Sequence, residues 1–397
     1  MRRMSPSRQT RSKEASAFRF THLRLENWRN FSRIEMALRQ RVFLVGPNAS
    51  GKSNLLDVFR FLADLTSVGG GLQAAVQKKP RGNLSSLRCL AARNPSDVVI
   101  VVRVGNDAHP SLWEYELRLG QDRKLRPKIQ RERVLRDGKP VLDRPDQADE
   151  KDPERLLQTH LEQVAANINF RELASFFASV RYLHLVPQLV REPDRSVGRR
   201  NDPFGGDFLE QIARTSEKKR RGRLSRITRA LKVAVPQLKE LALWKDEVGT
   251  PHLRGKYVHW RPQGAWQTED HLSDGTLRLL GLMWAMLDGD GPLLLEEPEL
   301  SLHPEVVRYL PQMFARIQRH GGRQVLLSTH STDLLRDDGI GLDEIFLLRP
   351  QKEGTEVQAA RDIREIATLL QHGSTLAETV MPLTRPKDAS QLSLFAE

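Results

Sequence analysis

A glycine loop constrains this chain more than any other feature. Gly46-Pro-Asn-Ala-Ser-Gly51-Lys52-Ser53 fits the spacing G-x-x-x-x-G-K-[ST]. It follows Val42-Phe43-Leu44-Val45, an unbroken apolar run suited to a strand buried on both faces. It precedes a helical pattern from about Lys52 to Leu65 that Gly69-Gly70-Gly71 stops. A chance match of the loop in a chain this long is on the order of one in a hundred, and the strand–loop–helix context makes an ordinary glycine turn rarer still. Such a loop lets backbone N–H groups wrap phosphates while the helix N-terminus adds its dipole. Gly46, Asn48, Ser50, Gly51, Lys52, Ser53 and Asn54 are therefore candidate nucleotide contacts. Lys52 would reach the β- and γ-phosphates of a nucleoside triphosphate, and the Ser53 hydroxyl would bind Mg²⁺.

Three further segments extend the pattern. Pro292-Leu-Leu-Leu-Glu296-Glu297-Pro298 reads as a buried strand ending in two acids. Glu296 is expected on the Mg²⁺ side, and Glu297 as the base that polarises water. Leu272-Ser273-Asp274-Gly275-Thr276 opens a strongly apolar helix over 277–287, where a serine and a glycine could serve as an N-cap or as an anion site. Ser328-Thr329-His330-Ser331 directly follows the apolar run Val325-Leu-Leu. Ligands of open α/β sheets bind at the C-terminal ends of their strands, which favours a role for His330 in the site.

Charge is segregated along the 397 residues, whose formal net charge is +13. Residues 1–19 carry +5, residues 118–136 carry +6 and residues 191–232 carry +7, whereas residues 272–348 carry −6. Basic clusters outside an acidic segment suggest a polyanion, with Lys218, Lys219, Arg220 and Arg221 as candidate DNA contacts. The single cysteine, Cys89, excludes an internal disulfide and cysteine-based metal centres. No apolar run is long enough for a membrane helix, and the basic N-terminus has no apolar stretch behind it. A soluble cytoplasmic protein, free or associated with the nucleoid, is the expectation.

Strand–helix–strand alternation at both ends predicts an α/β core with a mixed sheet, an antiparallel flanking sheet and a largely helical insertion. The expected organisation is a basic disordered tail over 1–17, a first lobe over 18–110, a basic, mostly helical arm over 111–240, a second lobe over 241–372 and a tail over 373–397. Strands are expected at 18–26, 34–38, 98–104 and 112–119. No internal repeat or sustained heptad pattern is present.

In this order the motifs resemble those of P-loop NTPases of the ABC type, of the RecF/SMC/OLD kind. Leu25-Glu-Asn-Trp28-Arg29-Asn30-Phe31 matches the family's opening segment, and Glu299-Leu-Ser-Leu-His303-Pro304 matches its D-loop. The resemblance covers roughly residues 20–110 and 241–348. It implies a homodimer in which two heads sandwich two ATP molecules, each held by the glycine loop of one chain, with Arg29 and Asn30 nearby, and by Ser273 and Gly275 of the other. Glu297 would activate water, His330 would contact the γ-phosphate, and ATP hydrolysis to ADP and phosphate would reopen the heads. Ser-Asp-Gly-Thr replaces the common Ser-Gly-Gly-Gln signature, and Glu296 stands where many relatives have aspartate. Gln73 and Gln77 are candidates for the glutamine loop. The 49 residues after Leu348 are too few for the family's nuclease domain.

Near the C-terminus, Gln391-Leu392-Ser393-Leu394-Phe395 resembles the bacterial sliding-clamp-binding pentapeptide. Two functions follow as expectations. One is a DNA-associated ATPase of replication-linked repair and genome maintenance. The other is a regulatory ATPase of an anti-phage or toxin–effector system that controls a separately encoded nuclease.

Overall fold

Apolar runs that lack alternation stand in the middle of this molecule. The computed structural model describes residues 18–93, 96–193, 202–259, 265–385 and 391. β1 (Arg19–Trp28) and β2 (Phe31–Ala37) form a hairpin, and β3 (Arg41–Val45) leads through the glycine loop into α1 (Lys52–Thr66). β4 (Val98–Gly105), β5 (Trp113–Gln121), β6 (Pro127–Arg136) and β7 (Lys139–Arg144) follow. α2 (Arg171–Ala178) precedes the short β8 (Arg181–Leu183). α3 (Phe208–Arg214) and α4 (Glu217–Leu231) then lead to β9 (Leu238–Lys245), β10 (Pro251–Tyr257) and β11 (Ala265–Thr268). The rest comprises α5 (Asp274–Leu287), β12 (Leu293–Glu296), α6 (Leu310–Gly321), β13 (Val325–Thr329), β14 (Ile345–Gln351), β15 (Gly354–Ala359) and α7 (Arg364–Gln371).

The central sheet has the order β15-β14-β3-β13-β12-β8. Its strands run parallel except β15, which returns antiparallel to β14. On β3, Val42 and Leu44 enter one core with Phe20, Leu294 and Leu326, under the antiparallel sheet β2-β1-β4-β5-β6-β7. Phe43 and Val45 enter a second core with Leu277, Leu295 and Leu327, under α3 to α6. A strand buried on both faces has no polar side, which is why these sequences are unbroken Val/Leu/Phe runs.

The register aligns the strand ends. Leu44 pairs with Ser328, Val45 with Thr329, and Glu296 with Ser328. The glycine loop, the two glutamates and His330 therefore leave the sheet at one level of one edge. Among the described residues no helix is long and apolar enough to cross a membrane.

The expected helical arm over 111–240 is corrected. The strand expected at 112–119 is β5, but β6 and β7 carry the antiparallel sheet on to 144, and 181–183 are the edge strand of the central sheet. Trp113, Tyr115, Leu117 and Leu119 alternate inward onto the core, and Ile129 and Val134 continue that face on β6. The period-2 signal is real, but the dense arginines obscure it on β6. The basic tail over 1–17 lies outside the described residues, as do all residues of the C-terminal pentapeptide except the exposed Gln391.

Candidate active site

The loop between β3 and α1 is built around backbone conformations that few side chains tolerate. Ala49 and Gly51 both have positive φ, 61° and 95°. A Cβ on Gly51 would stand 2.1 Å from Asn30 Nδ2, so only glycine fits there. Asn30 clips the loop from outside: its Nδ2 donates to Ser50 O at 3.0 Å and to Thr355 Oγ1 at 2.6 Å, and its Oδ1 accepts from Asn54 Nδ2 at 2.8 Å. Gly51 caps α1 without a side-chain bond, so the first amides of α1 are free to meet an anion. Ser50 is fully buried and its Oγ has no hydrogen-bond partner. Asn48, in contrast, is exposed on the rim.

Lys52 folds back across this loop. Its Nζ donates to Gly46 O and to Pro47 O, each at 2.9 Å. Burial pushes its ammonium down to about 8, against the opposing pull of Glu297, Glu296 and Glu299. Its neighbour Ser53 donates from Oγ to Glu296 Oε1, and Tyr182 Oη donates to Glu296 Oε2. His184 Nδ1 lies 3.4 Å from Glu296 O. Burial and the Glu296 charge hold the Tyr182 phenol far above its ordinary range.

Glu297 also has positive φ, 44°, a conformation that carries strain in a non-glycine residue. Its amide donates to Ser328 O at 3.1 Å, which turns its carboxylate to within 2.8 Å of His330 Nε2. That imidazole holds the Glu297 carboxyl below its ordinary range despite partial burial. Glu299 supports the pair: its Oε1 accepts from Thr329 Oγ1 at 2.5 Å and from the His330 amide at 3.1 Å. Burial raises the Glu299 carboxyl above its ordinary value.

Sequence reasoning named Lys52, Ser53, Glu296, Glu297 and His330, and the structure brings all five to this edge. It missed Tyr182 and His184, and it named Glu299 with the D-loop without giving it a role. Tyr182 and His184 have no local motif, because β8 joins the sheet from a region read as helical. Ser273 is the N-cap of α5, accepting from Thr276 N at 3.2 Å, and Gly275 lies so close to Ser301 O that a Cβ would stand 2.4 Å from it. Neither Ser273 nor Gly275 hydrogen-bonds to the glycine loop within the chain. Arg29 lies beside Asp57 at 3.9 Å, and burial lowers its guanidinium. Gln73 is committed elsewhere, donating to Pro127 O and Leu157 O at 2.9 Å. Gln77 lines a cavity of about 900 Å³ and bonds to none of these residues.

The donor set fits a nucleoside triphosphate with Mg²⁺. Among the described residues no group of three His, Cys, Asp or Glu could hold a metal alone. Mg²⁺ needs no such cage, because it keeps waters and phosphate oxygens and takes one or two protein oxygens. Ser53 Oγ and Glu296 Oε1, in direct contact, would supply that pair, and the buried Ser50 hydroxyl with the α1 amides would cradle an anion.

The family described as "AAA domain, putative AbiEii toxin, Type IV TA system" matches residues 41–337. The chain belongs to this family. The match spans the glycine loop, Glu296, Glu297 and His330, while Asn30 and Thr355, which clip the loop, lie just outside it. Among curated proteins nothing matches the chain. Among solved structures, an SMC head bound to the C-winged helix domain of ScpA has 13% identity and a TM-score of 0.51, covering 85% of this chain and 96% of that one. The SMC head domain from Thermotoga maritima has 12% identity and a TM-score of 0.45, covering 86% and 98%. The first likeness shows that this chain shares the fold of an SMC head.

Proposed function

We propose that this chain is an ATP-hydrolysing switch that dimerises on ATP and acts on or near DNA in replication-linked repair and genome maintenance. The observation that carries the reading is the single sheet edge where Lys52, Ser53, Glu296, Glu297 and His330 meet. Lys52 and the α1 amides bind the triphosphate; Ser53 and Glu296 would hold Mg²⁺, which would supply charge neutralisation for the transferred phosphoryl group. Glu297, kept ionised by His330, accepts a proton from the attacking water as that oxygen bonds to the γ-phosphorus and ADP leaves. Ser273 and Gly275, which do not reach the loop of their own chain, close the site of a second chain. Mixing tests this. Lys52→Ala and Ser273→Arg, each inactive alone, should together recover roughly a quarter of wild-type ATP hydrolysis, the share of mixed pairs with one intact site among two. No recovery would mean that the site is complete within one chain.

The exposed Lys218 and Lys219 support the DNA role, whereas Arg221 pairs with Glu217 at 2.6 Å and Arg220 bonds to Ala213 O and Thr215 O. A possible sliding clamp would take the pentapeptide Gln391–Phe395. The family description favours a second reading, a regulatory ATPase in a TA system with a separately encoded nuclease or effector. Copurification of a nuclease with the ATP-trapped protein would favour that reading, and a repair phenotype without such a partner would favour the first.

A further inference from the structure

The strands β9, β10 and β11 form a three-stranded antiparallel sheet, in the order β11-β10-β9, apart from the nucleotide edge. Its inner face places Leu241 and Leu253 in the second core. Cross-strand register pairs Trp244 with His252, Ala242 with Arg254 and Lys256 with Trp266, and so gathers these side chains on the opposite, outward face. Trp244 and Trp266 are 41% and 40% exposed, whereas Trp28, Trp113 and Trp284 are buried. Two tryptophans left half in water on one small face mark a binding surface rather than a core.

Cations stand against these rings. The Arg254 guanidinium lies 4.5 Å from the centre of Trp266, and the Lys256 ammonium 5.7 Å from it. Among the described residues neither forms an ion pair, and Arg254 Nε is buried without a hydrogen-bond partner. The Trp244 ring lies 5.3 Å from that of His252, which Glu269 and Asp246 hold at 2.6 and 3.6 Å. Glu240 is on the same face, in register with Lys256. α4 runs into β9 through a short turn and carries seven Lys and Arg against one Glu. Its Lys218, Lys219, Arg226 and Arg229 are exposed.

We propose that this outward sheet face is a platform for unpaired bases of a single-stranded nucleic acid. Trp244 and Trp266 stack on the bases, Arg254 and Lys256 take the adjoining phosphates, and the α4 cations attract the continuing backbone. Base faces are available in a single strand and hidden in a duplex, so exposed rings beside unpaired cations suit the former. The inference rests on the DNA-directed reading above and specifies the form of nucleic acid.

The test uses the full chain, with oligo-dT of about 20 nucleotides, a duplex of equal length and polyglutamate as probes, followed by fluorescence anisotropy and tryptophan quenching. The Trp244→Ala/Trp266→Ala double variant should bind oligo-dT at least tenfold more weakly, with duplex affinity within about twofold of wild type. Trp244→Phe/Trp266→Phe should retain most binding, and ATP hydrolysis should be unchanged in both. Oligo-dT affinity equal to wild type in the Ala variant, or an equal loss for duplex, would overturn the platform. Ring-dependent binding of polyglutamate without oligo-dT binding would assign the face to an acidic protein instead. If wild-type protein binds neither nucleic acid, the DNA-directed reading itself fails; if only α4 charge removal weakens binding, the platform alone fails.

Discussion

At the scale of single residues, the site is a set of carboxylates separated by environment. Glu297 is held ionised by His330, whereas Glu299, two residues on, is buried and raised. Lys52 is the counter-case, an ammonium lowered to about 8 by burial. Its charge is fully present below that value and lost above it, so Mg-ATP affinity should fall as pH rises from about 7 to about 9. Bound phosphates favour the charged amine, so binding near pH 8 should take up a proton. Calorimetry in buffers of different ionisation enthalpy measures both effects; constant affinity with no proton uptake would contradict the assigned role of Lys52. Arg81 offers a stability test away from the chemistry. It is buried, bonded to Asp57 at 2.7 and 2.9 Å and to Asp64 at 2.7 Å. Among the described residues, Arg81→Ala leaves Asp57 only Arg29, at 3.9 Å, and Asp64 only Lys78, at 2.6 Å, and should cost about 3 kcal/mol in denaturant unfolding. A loss below about 1 kcal/mol would mean that solvent or a rearrangement replaces the pair. Lys52 and Glu297 were legible because their motifs are local. The roles of Glu299, Tyr182 and Arg81 were not, because their partners lie 30, 114 and 24 residues away.

Elements explain what the charge count hid. The +6 of residues 118–136 pointed to a polyanion, yet in the antiparallel sheet its arginines meet acids. Arg131 lies 3.0 Å from Asp143, Arg133 lies 3.6 Å from the same carboxylate, and Arg126 bonds to both Asp122 and Glu154. A strand exposes alternate residues to its neighbours' side chains, so charge clustered in sequence is offset across strands. On α4, among the described residues, no acid pairs with Lys218 or Lys219, and the basic surface survives. Substituting Lys218 and Lys219 by Ala should therefore weaken duplex DNA binding and shallow its salt dependence by about two phosphate contacts. The same change at Arg131 and Arg133 should do neither, and equal effects at both places would refute the distinction. The β1–β2 hairpin has a similar hidden role. It reads as an early strand pair, but its turn carries Asn30, which joins the glycine loop to β15. Asn30→Ala removes three hydrogen bonds and should weaken ATP binding about tenfold while costing about 1–3 kcal/mol of stability. Unchanged ATP affinity in calorimetry would show that the loop holds its shape without the clip.

Across the whole molecule, the central sheet separates two cores and presents one reactive edge. Its parallel strands β3, β12 and β13 were readable as apolar runs, each followed by a motif of the site. Membership of β6 to β8 was not readable, because strand partners are set by tertiary pairing rather than by local composition. At this shared edge the proposed roles divide sharply: Lys52 would bind the nucleotide and Glu297 would cleave it. The direct measurement is ATP binding and phosphate release by wild type, Lys52→Ala and Glu297→Gln under the same conditions. Glu297→Gln should bind ATP as wild type does, release phosphate about 10²–10⁴-fold more slowly and accumulate as an ATP-bound dimer, while Lys52→Ala should not bind. Wild-type phosphate release by Glu297→Gln, or ATP binding undiminished in Lys52→Ala, would contradict these roles.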